Sequence, residues 1–271
     1  MLCIVGNISI TSGLIQRSKK FGFSICLMSM TFKVYEVIGA RMEGNTLLRK
    51  HQYTYEGTEI GIRIEKNKII NQSEALRKIR VKNQYIKEGI ALLDSLSDSL
   101  CENMDYLTVM VIEGNAAKVY FPRMFDNVNW NGRKPRIKND YINVTLDIAY
   151  TMLFNIVDAM LQVYGFDTYY GVFHKCFYMR KSLVCDLMEP MRPIVDYAIR
   201  KAINLGQCKK EDFDLYGSRW YLQMKYNATY IQFIMAAILD YKDDIFLYIQ
   251  KYYRFFMKMK SVEQFPSFEL H

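Results

Sequence analysis

Ser182-Leu-Val-Cys-Asp-Leu-Met-Glu-Pro-Met-Arg-Pro193 sets the reading of the whole chain. Leu183, Val184, Leu187 and Met188 recur at helical spacing, and a helix is predicted over 183–204. Asp186, Glu189 and Arg192 stand three apart, the interval that puts side chains on one helix face. Two carboxylates that close raise each other's pKa unless a cation intervenes, and Arg192 can compensate one of them. Pro190 and Pro193 follow, so the helix is expected to kink or restart there. The bland alternative is a salt-bridge stripe. The apolar neighbours weaken it, because ionised groups in such a setting are costly unless something compensates them.

Two other stretches repeat the pattern of an ionisable group inside an apolar run: Val111-Ile-Glu-Gly-Asn-Ala-Ala-Lys-Val-Tyr120 and Tyr169-Tyr-Gly-Val-Phe-His174. Glu113 follows four apolar residues and is either the rim of an amphipathic element or functional. His174, one of three histidines, lies in an aromatic loop after Gly165 and Gly171, where the backbone can bring it close to a ligand. A satisfied structural histidine is the competing reading. One Glu, one His and an Asp/Glu pair together form a ligand set for a hard divalent ion.

Bulk properties set the frame. At 271 residues, half apolar and a quarter charged, the chain can bury a real core, and its many aromatics argue against disorder. A net charge of +8 suits nucleic acid or an anionic surface. Six scattered cysteines without a Cys-x-x-Cys pair read as reduced, packed thiols rather than a disulfide framework or zinc knuckle. The N-terminus lacks a secretory signal pattern, and no uninterrupted apolar run approaches the ~20 residues that span a bilayer. A cytoplasmic protein without membrane association is expected.

The fold class expected is α+β, mainly helical. Residues 1–42 read as a small β-rich domain: Leu2-Cys-Ile-Val5, Phe23-Ser-Ile-Cys-Leu27 and the alternating Phe32-Lys-Val-Tyr-Glu-Val-Ile38 are strands. A helix between the first two ends at Gly22. So small a sheet leaves edges to cover, by the main domain or by a second copy, and the chain reaches its first strand with an abbreviated leading segment. Residues 43–271 read as a larger all-helical domain, with helices over 58–90, 92–100, 143–163, 183–204 and 220–259. The stretch 106–125 is ambiguous between strand and helix. Residues 126–140 are a loop, with Arg133, Lys134, Arg136 and Lys138.

In order along the chain, these segments resemble the CRISPR-associated integrase family of spacer acquisition. The resemblance rests on Glu113-Gly through Tyr120, Asn143-Val-Thr-Leu146 with Tyr150, Gly165-Phe-Asp167 with Gly171-Val-Phe-His174, and Ser182 to Pro193. Glu43-Gly-Asn-Thr-Leu-Leu-Arg49 and Asn71-Gln72 are similar to the family's first helices. The resemblance implies a Mn2+ or Mg2+ site made by Glu113, His174 and Glu189 with Asp186 beside it. It implies a homodimer that works with a small CRISPR-associated partner of ferredoxin-like fold, in a hetero-hexamer. The substrates implied are double-stranded DNA fragments and the CRISPR repeat. The reaction implied is transesterification, in which a 3′-hydroxyl of the incoming fragment attacks a repeat phosphodiester.

Tyr150 and Arg192 are candidates for DNA contact or for support of the acids. The basic stretch from Arg63 to Lys87 (with Lys66, Lys68, Arg77, Lys78, Arg80 and Lys82) and the 133–138 loop would meet phosphates; the competing reading is a solvated face. A tyrosine recombinase would need a His-x-x-Arg cluster that is absent after His174. A non-catalytic DNA-binding subunit and a plain nuclease on branched DNA remain as other readings.

Overall fold

The computed structural model describes residues 1–30, 32–42, 44–174 and 176–271; Glu43, in the first-helix match, and Lys175, beside His174, lie outside the described residues. The chain divides into two compact units, each assembled from separate segments. The first comprises Met1–Gly61, Thr151–Met188 and Ile245–Pro266, and the second Ile62–Tyr150, Glu189–Asp244 and Ser267–His271.

The first unit opens with β1 (Leu2–Val5), α1 (Ser12–Phe21), β2 (Ser24–Met28) and β3 (Val34–Gly39). β1 lies parallel to β2 with Cys3 beside Cys26, and β3 runs antiparallel to β2 with Val37 beside Cys26. Parallel neighbours need a crossover, and α1 supplies it. Thr11 caps α1 by accepting from the Leu14 N–H, and Gly22 ends it at φ +69, where a side chain would be strained. Cys26, Met28 and Val37 pack with Ala159 as a core. The strands and the helix expected over the first forty residues are all present. α2 (Thr46–Thr54) follows, its Gln52 donating to the carbonyls of Asp167 and Tyr170, which fixes the loop leading to His174.

In the second unit, α3 (Glu59–Arg77, most of which falls here) is followed by α4 (Gln84–Ser99) and α5 (Tyr106–Met124). The predicted helix over 58–90 is therefore two, parted at residues 78–83, where the Asn83 side chain caps α4. The predicted helix over 92–100 is the second half of α4. The ambiguous stretch is helix: Asp105 accepts from the N–H groups of Leu107 and Thr108, which starts α5 and overrides its β-branched content. α6 (Tyr141–Tyr164) matches expectation. It is long and apolar enough to cross a membrane by length and composition, and 72% of its most apolar window is buried within the protein.

The predicted helix over 183–204 breaks as the prolines dictate. α7 (Ser182–Met188) stops, Glu189–Met191 form a 3-10 turn, and α8 (Arg192–Asn204) restarts with Pro193 in its first turn. Asp186 and Glu189 therefore do not share a continuous helix face. The predicted helix over 220–259 is also wrong at its start. β4 (Phe213–Tyr216) and β5 (Arg219–Leu222) form a hairpin, and α9 (Asn227–Asp240) and α10 (Lys242–Met257) follow. Phe213 of that hairpin is buried with Val144, Ala202, Cys208 and Tyr230, and Trp220 packs on the cluster. Tertiary burial of alternate side chains outweighs local helix preference here.

Candidate active site

Glu113 points from α5 to the Lys68 ammonium of α3, Oε1 to Nζ 2.7 Å. Glu189, on the 3-10 turn, places Oε2 at 2.7 Å from the same nitrogen. Glu65, one turn before Lys68 on α3, stands at 3.2 Å. Lys68, Glu65 and Glu189 are buried, and the Glu113 side chain is 24% exposed. Glu189 Oε1 accepts from Arg192 at 2.8 Å, so Arg192 does compensate an acid. The group carries three formal negative charges against two positive. Burial pushes Glu65 up to about 7 even though the Lys68 charge works against it. The surrounding carboxylates hold Lys68 above the ordinary lysine range against the cost of burial. Among the described residues, no group of three or more His, Cys, Asp or Glu side chains is set by itself to hold a metal ion. The carboxylates close on an ammonium instead.

Asp186 and His174 belong to the first unit and form a pair of their own. Asp186 is fully buried, and its carboxylate accepts from the N–H groups of Val172 (2.7 Å), Phe173 (3.1 Å) and His174 (2.9 Å). Its Oδ1 lies 2.6 Å from His174 Nδ1. A carboxylate so occupied is an anchor: it fixes the loop and, through Nδ1, the orientation of the ring. Asp186 was expected beside Glu189 on one face; it is instead the partner that orients His174. Gly171 makes this possible, since a Cβ there would fall 2.7 Å from Asp186 Oδ2 and 2.8 Å from the His174 carbonyl oxygen. On α10, the buried hydroxyls of Tyr248 and Tyr252 are pushed up, by burial first and by the Asp186 charge second.

Behind Arg192, Tyr150 is buried with its ring under two guanidinium groups, Arg192 at 4.9 Å and Arg133 at 5.3 Å. Its hydroxyl donates to Asp196 (2.6 Å), as does that of Tyr120 (3.0 Å). Burial raises Asp196 to about 6 although both hydroxyls oppose the shift. Tyr150 is thus positioned to support Arg192 and not at an open surface. The remaining cations sort by environment. Arg80 and Lys134 are exposed and Lys82 is half-buried. Arg77 pairs with Glu74 and Asp94, Arg133 with Asp147, and Lys78 donates to Tyr241.

Lys68, expected at phosphate, is buried among acids. Glu65 was missed altogether, although Glu-x-x-Lys at 65–68, three residues before Asn71-Gln72, was a legible i,i+3 pair. A cleft of about 570 Å3 in the first unit, with Arg41, Arg49, Lys181 and Tyr169 on its wall, also went unread because its parts are far apart in sequence.

The donor chemistry fits a hard divalent ion. Two carboxylates on separate elements of the second unit already converge on one cationic atom. Comparison with known proteins gives the class. Residues 1–235 match the family described as CRISPR associated protein Cas1. The chain belongs to that family. It is 27% identical over 220 residues to a CRISPR-associated endonuclease Cas1 of Thermodesulfovibrio yellowstonii, covering 75% of this chain and 69% of that protein. A chain of a partial Cas6-RT-Cas1–Cas2 complex shares the fold with TM-score 0.84 at 19% identity, over 100% of this chain and 89% of that one. A casposase bound to integration product shares it with TM-score 0.70 at 19% identity, over 95% and 82% of the two chains.

Proposed function

We propose that this chain is a CRISPR spacer-acquisition integrase, a divalent-metal-dependent DNA endonuclease that joins the 3′-hydroxyl ends of foreign DNA fragments into the CRISPR repeat array. The observation that carries the reading is the convergence of Glu113 and Glu189, in a largely buried setting, on a single cationic atom. Glu113, Glu189 and His174 are the proposed ligands of Mn2+ or Mg2+, His174 on the order of the sequence motifs. When bound, that ion would lower the pKa of the attacking hydroxyl and offset charge on the transferring phosphoryl group.

The chain's own side chains do the positioning. Arg192 fixes one oxygen of Glu189 and leaves the other to face the cation. Asp186 orients the His174 ring through Nδ1, which leaves Nε2 as the nitrogen that would meet a ligand. In the reaction, the fragment's 3′-hydroxyl loses its proton as its oxygen bonds to the phosphorus at the repeat edge, and the 3′-oxygen formerly bonded to that phosphorus leaves and takes up a proton. One phosphodiester replaces another, so no nucleotide is consumed. Exposed cations such as Arg80 and Lys134, and the wall of the Arg41–Arg49–Lys181 cleft, are the proposed phosphate-binding groups. Residues 1–42 are the proposed dimerisation domain. A small CRISPR-associated partner of ferredoxin-like fold, bridging two dimers as a hetero-hexamer, and action in the cytoplasm complete the reading.

The test is incubation of the full chain with short 3′-hydroxyl duplexes, a repeat-bearing plasmid and Mn2+, with and without the partner. Covalent joining that chelation stops, and that Glu113→Gln stops, is the expected result. Joining that survives both would refute the assignment.

A further inference from the structure

We propose that Lys68 is a resident cation that keeps the acid site in shape and that a divalent ion has to displace, with Glu65 as the carboxylate that receives it. The inference rests on the metal-site reading above and adds a competitor built into the chain. Lys68 Nζ donates to Glu113 Oε1 at 2.7 Å and is ion-paired with Glu189 Oε2 at 2.7 Å and Glu65 Oε2 at 3.2 Å. One ammonium thus serves all three acids. In the folded chain without metal, it offsets the repulsion of three acids brought together by two helices and a 3-10 turn.

A divalent ion ligates carboxylate oxygen at roughly 2.0–2.6 Å. Lys68 Nζ is 2.7 Å from one oxygen of each acid, so both cations on those oxygens would be immediate neighbours. Like charges that close repel strongly in a poorly solvated site. The ammonium therefore leaves Glu113 and Glu189 as the ion enters. Its four-carbon stem is flexible, and Glu65 is on the same helix, one turn back and 2% exposed. Retreat to Glu65 keeps the ammonium paired, which a buried charge requires. Lys68 is on this account a positioning residue, and metal affinity is set partly by the ion pairs that loading breaks.

Mn2+ binding to the full chain, measured by calorimetry in the absence of DNA, tests this. Wild type is compared with Lys68→Met, with the Lys68→Met/Glu65→Gln pair that keeps the charge balance, with Lys68→Arg and with Glu113→Gln. The Met variants are expected to bind Mn2+ at least about tenfold more tightly than wild type, about 1.4 kcal/mol. Their melting temperature should be lower without metal and should rise further than wild type's when Mn2+ is added. Lys68→Arg, a wider cation with less freedom to retreat, should bind Mn2+ more weakly, and it decides the matter if the Met variants do not fold. Unchanged or weaker affinity in the folded Met variants, or unchanged affinity in Lys68→Arg when it alone folds, overturns the proposal. Affinity that Glu113→Gln leaves intact, or no Mn2+ binding by any form, overturns the metal-site reading itself and the displacement with it.

Discussion

At the scale of single residues, two buried aspartates illustrate opposite ways of tolerating a carboxylate. Asp186 is surrounded by donors, three of them the backbone N–H groups of Val172, Phe173 and His174. Asp186→Ala would orphan them at about 1–3 kcal/mol each and free the His174 ring. A loss of about 3 kcal/mol or more, a fall in melting temperature of roughly 6–12 °C, is expected in a thermal melt. A fall of under 2 °C would show that the loop holds without its anchor. Asp196 accepts from two hydroxyls, and burial still lifts it to about 6. Its neutral form is favoured by folding, so its contribution is fully present below about pH 4 and is lost as pH rises through about 6. Against Asp196→Asn, wild type should lose about 3 kcal/mol of relative stability across that window. Denaturant unfolding at pH 4 and pH 7.5 measures it, and a pH-independent difference would contradict the assignment.

The elements show where sequence reading succeeds and where it stops. α1 and α6 were legible because periodicity and breakers are local, as with Gly22 at the end of α1. α5 stayed open between strand and helix because its β-branched content competed with its length, and only the Asp105 cap in the structure decides it. The restart at Arg192 was legible because proline acts on its own helix. The hairpin at Phe213–Leu222 was not, since its strands are fixed by burial against residues some seventy positions away. For the same reason Glu113 and Glu189 could be picked out singly, while the Lys68 that joins them could not. The 3-10 turn that carries Glu189 is itself tied down from a distance: Asn71 Nδ2 donates to the Pro190 carbonyl (2.8 Å) and to that of Phe268 (2.9 Å). Asn71→Ala should cost about 2 kcal/mol in urea unfolding and raise amide exchange at Met191 and Arg192. Exchange there that stays at the wild-type rate would mean the turn is held by its prolines alone.

For the whole molecule, the +8 charge matters less than where it is free. Arg77 and Arg133 already serve acids of their own, whereas Arg80 and Lys134 are exposed. Replacing Arg80 and Lys134 together by Glu should weaken duplex binding across all sequences. It should also flatten the dependence of log affinity on log salt by about 0.9 for each phosphate that is no longer neutralised. Replacing Arg77 should change the slope little. Binding isotherms at several salt concentrations separate these outcomes, and equal slopes for all variants would move the DNA surface elsewhere.

On the proposed function, Glu113 and Glu189 share one divalent ion. Crystals soaked in Mn2+ and measured at the manganese absorption edge address it directly. An anomalous peak is expected within ligating distance of both carboxylates, with Lys68 Nζ withdrawn toward Glu65. A manganese peak bound elsewhere, with Lys68 still seated between the two glutamates, would contradict it.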